Sequence, residues 1–362
     1  MEINTRQTTK LALNDSNFIY SKKIKKIFMR HWLVLFFLFT NNFFNSTIHE
    51  PPSNIIKGVS IVSPQQYISE DYFSPIKKIN AEWVAVTPFG FLDASDTKIQ
   101  YPTSENYWGD YPENLKSVIQ QAKSHQLKVL LKPHIWVNGH GWAGDYDLYF
   151  WEWKHWELSY KDFILSFAEL AESLDVEMFC IGVEWKTAIR RRPGFWRSII
   201  QEIRKIYSGK LIYAANWDEF EYVPFWKDLD YVGIDGYFPL SNSKTPTKEE
   251  LNQAWKPVVK KISKFYKKTK RPIIFTEYGY RSTDFACWNQ WEIENLKDHE
   301  FVNMQAQQNG YEAFYESVSH QEWYAGGFIW KWHPEKNTGG IHHSNYTPQG
   351  KPVLETIKKW YE

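Results

Sequence analysis

Eight short apolar segments, separated by longer amphipathic ones, limit the possible folds of this chain more than any other feature. They occupy residues 55–62, 83–88, 129–134, 178–185, 211–217, 231–237, 273–278 and 326–332. They are rich in Val and Ile and lack clean alternation, which is typical of strands buried on both faces of a parallel sheet. Helical patterns lie between them, for example at 115–125, 163–174 and 196–207. Strand followed by helix, repeated eight times, predicts an α/β fold, a single-domain (β/α)₈ TIM barrel.

The lengths of the connections indicate which end of the predicted barrel carries function. Connections from helix to strand are short, whereas those leaving the third, seventh and eighth strands are long and rich in aromatic residues, at 135–156, 279–300 and 333–350. Long loops without secondary structure are usually functional, and barrel enzymes carry their sites at the C-terminal ends of the strands. We therefore expect the site among these loops.

Composition excludes several classes of function. The 362 residues include 43 Lys and Arg against 42 Asp and Glu, so there is no basic excess to bind nucleic acid or an anionic membrane. The chain has only two Cys residues, too few for a disulfide scaffold or a Cys-rich metal module. Aromatic residues make up 18% of the chain, which indicates either an aromatic core or a ligand with apolar faces. Without basic charge, a sugar fits better than nucleic acid bases.

The first fifty residues are predicted to lie outside the fold. Residues 32–39 form a short apolar run that follows a basic cluster, Lys22, Lys23, Lys25, Lys26 and Arg30. This pattern is typical of a secretory signal, and the run is shorter than the roughly 20 residues of a membrane-spanning helix. We expect residues 1–50 to be a leader, residues 51–362 the catalytic domain, and the protein to be exported to the periplasm or the extracellular space. The alternatives are an uncleaved membrane anchor at 27–44, or initiation at Met29.

Two carboxylates stand at the ends of predicted strands. Glu184 ends the fourth strand in CIGVEW, and Glu277 ends the seventh in IIFTEY. A carboxylate after five or six apolar residues is costly to bury unless it is partnered, so either a salt bridge or catalysis accounts for each. The fourth and seventh strands face one another across an eight-stranded barrel. Two carboxylates over one pocket are what glycoside hydrolysis requires.

These residues carry a resemblance to a known family. Glu at the ends of the fourth and seventh strands is the pattern of the large clan of retaining TIM-barrel glycosidases. Five stretches resemble glycoside hydrolase family 113, the β-mannanase family: LLKPHIW at 130–136, FCIGVEW at 179–185, AANWDEF at 214–220, YVGIDGYFPL at 231–240 and IIFTEYGYRS at 273–282. The likeness extends over roughly residues 55–361. Most clan members place Asn before the acid/base Glu, where this chain has Val183, and family 113 shares that departure.

The resemblance implies a retaining endo-β-1,4-mannanase with Glu184 as acid/base and Glu277 as nucleophile. Their surroundings favour the same assignment. Apolar and aromatic neighbours should raise the pKa of Glu184 and keep it protonated. A hydroxyl from Tyr237 or Tyr278 donating to Glu277 would hold that carboxylate ionised.

Further residues are candidates for substrate binding. Lys132 and His134 alternate with Leu130 in the third segment, so we expect one shared face. For Lys132 we favour contact with sugar hydroxyls or pairing with a catalytic Glu over a purely structural salt bridge. The other candidates are Trp136, Asn216, Trp217, Asp235, Tyr237 and Trp330. Trp136 could either stack on a sugar or pack in the core. Asp235 could either bind sugar hydroxyls or be a hydrogen-bonded residue of the barrel layer. The clan resemblance implies that the Trp330 ring lies beneath the sugar at the cleavage point and contacts its face.

The remaining aromatic and His residues favour plainer roles. The loop after the third strand contains four tryptophans, Trp142, Trp151, Trp153 and Trp156. We expect most of these side chains to pack this third loop rather than to line outer sugar subsites. His333, His342 and His343 lack accompanying carboxylates at metal-ligand spacing, so no metal or other cofactor is expected. We expect a monomer whose partner is a β-linked polysaccharide or oligosaccharide. The rival prediction is a non-catalytic carbohydrate-binding barrel, or one specific for another β-glycan.

Overall fold

The computed structural model describes residues 55–101, 105–139, 142–292 and 302–362. The predicted leader, its anchor at 27–44 and Met29 lie outside these residues. Within the described ranges, no helix combines the length and the apolar character needed to cross a membrane.

A closed barrel of eight parallel strands forms the centre of the described chain. Its strands follow one another around the ring in the order β1, β10, β9, β8, β7, β6, β4, β2. Each of the eight apolar segments supplies one barrel strand, so the predicted TIM barrel is confirmed. The ten strands found in the described ranges are β1 (Ile56–Ile61), β2 (Trp83–Val86), β3 (Phe89–Asp93), β4 (Lys128–Leu131), β5 (His134–Asn138), β6 (Met178–Val183), β7 (Lys210–Asn216), β8 (Val232–Asp235), β9 (Ile273–Tyr278) and β10 (Tyr324–Trp332).

Helices follow the strands and carry their apolar faces toward the sheet. In the described ranges they are α1 (Ser74–Lys77), α2 (Pro112–Ser124), α3 (Trp153–Ser173), α4 (Lys186–Arg191), α5 (Pro193–Ile206), α6 (Lys248–Thr269), α7 (Met304–Val318) and α8 (Val353–Tyr361). Except for its last residue, each of the three predicted helical patterns lies within a helix, in α2, α3 and α5 respectively. In α5, buried residues recur at helical spacing: Trp196, Ile199, Ile200 and Ile203. The start of α6 is fixed by a capping box between Thr247 and Glu250.

The apolar core has two layers. A large outer cluster lies between sheet and helices, and a smaller one fills the barrel interior with Leu130, Cys180, Ala214, Ile274 and other side chains. Side chains two residues apart on a strand share a face. The interior positions that follow Leu130 and Ala214 toward the C-terminal end are therefore Lys132 and Asn216, so polar groups replace apolar ones where the barrel opens.

A small parallel sheet of two strands, β3 and β5, extends one wall beyond the barrel rim. It pairs Phe89 with His134 and Asp93 with Asn138 at its two ends. The prediction of a third barrel strand over 129–134 was therefore wrong at its end. The barrel strand β4 stops at Leu131, because Pro133 has no N–H to donate to a sheet ladder, and His134 begins the second sheet.

Candidate active site

The two candidate catalytic carboxylates lie at the C-terminal opening of the barrel, three strands apart around the ring. Glu184 directly follows β6 and adopts a left-handed backbone conformation with φ +53°. Its backbone N–H donates to the carbonyl of Ala214 on the adjacent strand β7 at 2.8 Å. A non-glycine residue in this region is uncommon and is held by its surroundings. Glu277 lies within β9 and is 6% exposed.

Both oxygens of Glu277 accept from a donor. The Lys132 ammonium lies 2.5 Å from Oε1, and the Tyr237 hydroxyl donates to Oε2 at 2.7 Å. Tyr278, the other tyrosine considered from the sequence, points elsewhere and pairs with Tyr315 and Tyr361. Charge-assisted contacts of this kind fix the rotamer of a carboxylate.

Lys132 and Asp235 lie behind Glu277, below the surface of the site. Both side chains are fully buried, and their charged atoms are 3.4 Å apart. Burial disfavours the charged form of Lys132, but the carboxylates of Asp235 and Glu277 outweigh it and raise the pKa of the ammonium. Burial and the charge of Glu277 raise the pKa of Asp235 well above its usual value. The structure therefore places these two predicted substrate-binding residues in a support for Glu277, with Asp235 in the barrel layer.

Glu184 has a different environment. Its side chain is half-buried, and the indole N–H of Trp142 donates to Oε2 at 2.6 Å. Burial is the main cause that raises its pKa to about 8, and the charge of Glu277 adds to this effect, whereas the Trp142 hydrogen bond opposes it. The two carboxyls are thus arranged so that Glu184 holds a proton near neutral pH while both oxygens of Glu277 accept hydrogen bonds.

A buried carboxyl near Glu184 was missed from the sequence. Glu219 is 2% exposed, and the hydroxyl of Tyr213 donates to its Oε1 at 2.9 Å. The same hydroxyl accepts from the backbone N–H of Trp185, the residue after Glu184, at 2.7 Å. Burial raises the pKa of Glu219 to about 8. Glu219 lies within the AANWDEF stretch, but only the fold shows that Tyr213 connects it to the backbone beside Glu184.

An aromatic group adjoins Glu277. The rings of His134 and Trp330 are nearly parallel at 6.0 Å, and Lys132 Nζ lies 5.9 Å from the centre of the Trp330 ring. His134 Nε2 lies 3.8 Å from Glu277 Oε1. Burial, together with the Lys132 charge, lowers the pKa of His134 well below its usual value, so the imidazole is neutral. Trp330 is half-buried.

The other predicted binding residues lie around the same end of the barrel. Asn216 pairs in register with Asp235, and its side-chain oxygen has no hydrogen-bond partner among the described residues. Trp217 stacks on Trp291 with 5.9 Å between ring centres and 16° between planes. Trp136 lies on β5 and is 57% exposed, which contradicts a core role.

The tryptophans of the third loop divide into three kinds. Trp153 and Trp156 belong to α3 and are buried in the core, as the packing interpretation expects. Trp151 is 67% exposed and stacks on Tyr149. Trp142 is half-buried and belongs to neither group: its indole N–H donates to Glu184. A sequence pattern has no signal for which of four nearby tryptophans makes this contact.

The described residues contain no group of three or more His, Cys, Asp or Glu side chains that could hold a metal ion. The groups that can carry out chemistry at this site are the carboxyls of Glu184 and Glu277. One has a raised pKa and can donate a proton. The other is buried and oriented by two donors, so as a carboxylate it can attack an electrophilic carbon or activate a water molecule.

Comparisons with known proteins point to one enzyme family. The profile of Glycoside Hydrolase Family 113 matches residues 65–351. The chain is similar to the structure of the GH113 β-mannanase AaManA from Alicyclobacillus acidocaldarius in complex with ManMIm, with 22% identity, a TM-score of 0.73, and 86% of this chain and 98% of that chain covered. Two further structures are of a GH113 β-1,4-mannanase. They are 25% and 26% identical, with TM-scores of 0.73 and 0.71, and each covers 85% of this chain and 99% of the other. A search of curated proteins finds no match.

Proposed function

Because the chain belongs to glycoside hydrolase family 113 and is a glycosidase, we propose that it cleaves β-1,4-linked mannan with retention of configuration, using Glu184 and Glu277. The mannan substrate is supported by the similar structures, which are β-mannanases. The observation that carries the mechanism is the contrast between the two carboxyls. Glu184 has a pKa near 8, whereas Glu277 is held by Lys132 and Tyr237.

The first half of the proposed reaction forms a covalent intermediate. Glu277 attacks the anomeric carbon while Glu184 gives its proton to the departing glycosidic oxygen. One C–O bond forms to Glu277 and one breaks to the leaving sugar, so the negative charge moves from Glu277 to Glu184. The charge of Glu277 raises the pKa of Glu184, so this electrostatic cause disappears when Glu277 becomes an ester. The pKa of Glu184 then falls.

The second half reverses these roles. The Glu184 carboxylate takes a proton from water, and the water oxygen displaces Glu277 from the anomeric carbon. Trp142 donates to one oxygen of Glu184 and leaves the other free to face the leaving group and then the water. Lys132 and Tyr237 stabilise the charge that returns to Glu277.

Azide rescue tests the division of labour between the two glutamates. Glu184→Ala should still form the intermediate with an activated aryl β-mannoside, since such a leaving group needs little protonation. Breakdown then stalls for lack of a base. Added azide, which needs no deprotonation, should restore turnover and give the β-mannosyl azide. The same rescue of Glu277→Ala should give the α-azide, because only one displacement occurs. Identical azide products from both variants, or an α-product from the wild type, would contradict the assignment.

A panel of β-linked oligosaccharides tests the substrate. Manno-oligosaccharides should be hydrolysed faster than gluco- or xylo-oligosaccharides of equal length, with product sizes that show internal cleavage. Faster hydrolysis of another β-glycan would keep the catalytic assignment and replace the mannan. Binding without hydrolysis of any member would favour the non-catalytic alternative.

A further inference from the structure

A lysine, an aspartate and a glutamate share one buried charge network at the base of the site. Lys132, Asp235 and Glu277 are 0%, 0% and 6% exposed. Asp235 and Glu277 are register partners on the neighbouring strands β8 and β9, whereas Lys132 follows β4 on the far side of the ring. The ammonium therefore reaches through the barrel interior and contacts both carboxylates, at 3.4 Å and 2.5 Å.

This arrangement meets a difficulty that the proposed double displacement creates. When Glu277 becomes an ester it has no charge, and the buried ammonium of Lys132 loses its nearer counter-ion. A buried cation left without a partner is strongly disfavoured. The lysine has little freedom to move to solvent, because it is enclosed in the barrel layer.

We propose that Asp235 is a positioning residue for the covalent stage of the reaction: it is the counter-ion that keeps Lys132 charged and in place while Glu277 is esterified. Thr276 anchors this carboxylate by donating to Oδ1 at 2.7 Å, the same oxygen that faces Lys132. Burial and the charge of Glu277 raise the pKa of Asp235. Esterification removes the second cause, so the Asp235 carboxylate is more stable in the intermediate than in the free enzyme. The inference rests on the proposed function and extends it to a residue whose side chain is fully buried below the site.

The inference predicts opposite effects on the two half-reactions. With Asp235→Asn, the charge near Lys132 is provided by Glu277 alone. The ammonium then stabilises the ionised nucleophile of the free enzyme more than the intermediate. Attack by Glu277 should become slower, and its departure from the sugar should become faster. A purely structural defect would slow both steps.

The experiment follows the covalent intermediate in the Glu184→Ala background, where breakdown is slow. The protein reacts with 2,4-dinitrophenyl β-mannoside. Dinitrophenolate release reports the rate of attack, and intact-protein mass spectrometry after substrate removal reports the lifetime of the adduct. Adding Asp235→Asn should slow release and shorten the lifetime, each on the order of tenfold for the loss of one nearby charge.

Thr276→Ser in the same background is the matched control. It keeps the hydroxyl that donates to Asp235 and changes no charge, so both rates should stay within about twofold of the background, a change worth less than 0.5 kcal/mol. Circular dichroism melting checks that each protein is folded. If Asp235→Asn does not fold, Asp235→Ser replaces it, with the same expectation for both rates.

The outcomes separate the inference from the proposed function. If Glu184→Ala forms no adduct on Glu277, the double displacement is wrong and the inference falls with it. If adducts form but their lifetime is unchanged by Asp235→Asn, or both steps slow together, Asp235 is not the counter-ion and the proposed function stands. Slower attack with faster breakdown supports the inference.

Discussion

The hydrogen bond from Trp142 to Glu184 should set the alkaline limit of activity. Attack by Glu277 requires protonated Glu184, so kcat/KM for an unactivated oligosaccharide should fall as pH rises through the pKa of Glu184, about 8. The charged groups that act on this carboxyl are Glu277 and Glu219, which raise its pKa, and Lys132, which lowers it. Trp142 also lowers it, because an N–H donor stabilises the ionised form.

Trp142→Phe removes this donor and keeps an aromatic ring. A hydrogen bond to a charged group contributes about 1.5–3 kcal/mol when buried, and Glu184 is only half-buried, so we take the lower end. Since 1.36 kcal/mol corresponds to one pKa unit, the alkaline limb should move up by about one pH unit. Activity at pH 9 should therefore fall less steeply in the variant, whatever happens to its maximum rate.

The assay is kcat/KM for mannotetraose from pH 4 to 10, with Trp151→Phe as the matched control. Trp151 lies in the same loop, is 67% exposed and stacks on Tyr149, so its replacement should leave the alkaline limb in place. A limb that does not move in Trp142→Phe, or moves to lower pH, would refute the reasoning. Equal upward shifts in both variants would point to the loop as a whole and not to the hydrogen bond.

Three further predictions concern other parts of the chain. Gly144→Ala should reproduce the alkaline shift of Trp142→Phe, because an added Cβ would overlap the Trp142 ring; an unshifted kcat/KM profile in a folded variant would count against this. Glu219→Gln should match the wild type in unfolding free energy below about pH 4.5. Above that pH it should exceed the wild type, by at most about 5 kcal/mol near pH 8, since the raised pKa of Glu219 makes its ionisation costly in the folded state. Urea unfolding at pH 4.5 and 8.5 measures this, and an equal difference at both would contradict it. Finally, we propose that the protein is exported and that its mature chain begins near residues 45–52; mass spectrometry of the secreted product decides this, and an intact leader in the membrane fraction would indicate an anchor.

The barrel could be predicted because its signal is local. Each strand is a short run of Val, Ile and other apolar residues, and each helix repeats its buried positions at a regular spacing. The two glutamates were visible for the same reason, as isolated carboxylates at the ends of such runs. The end of the third strand was not visible, because the pairing of β5 with β3 depends on a second segment some 45 residues away.

The partners within the site could not be predicted, since they depend on barrel closure. Lys132 and Asp235 are 103 residues apart, and only the closed ring brings their charges to 3.4 Å. The sequence left open whether Lys132 pairs with a carboxylate or meets sugar, and whether Asp235 belongs to the barrel layer. Trp142 and Glu219 acquire their roles through tertiary contacts, with Glu184 and with Tyr213.

The two-stranded sheet beyond the rim bears on the entropy of binding. His134 and Trp136 are carried by β5, whose backbone is paired with β3 over five residues from Phe89 to Asp93. The backbone of a paired strand loses its conformational entropy during folding. The backbone of an open loop loses that entropy when a ligand orders the loop, and this loss lowers affinity. A sugar chain that contacts this wall therefore meets a surface that is already ordered. We expect affinity along this wall to depend on the side chains it presents, which makes Trp136 a suitable position for changing specificity without remodelling a loop.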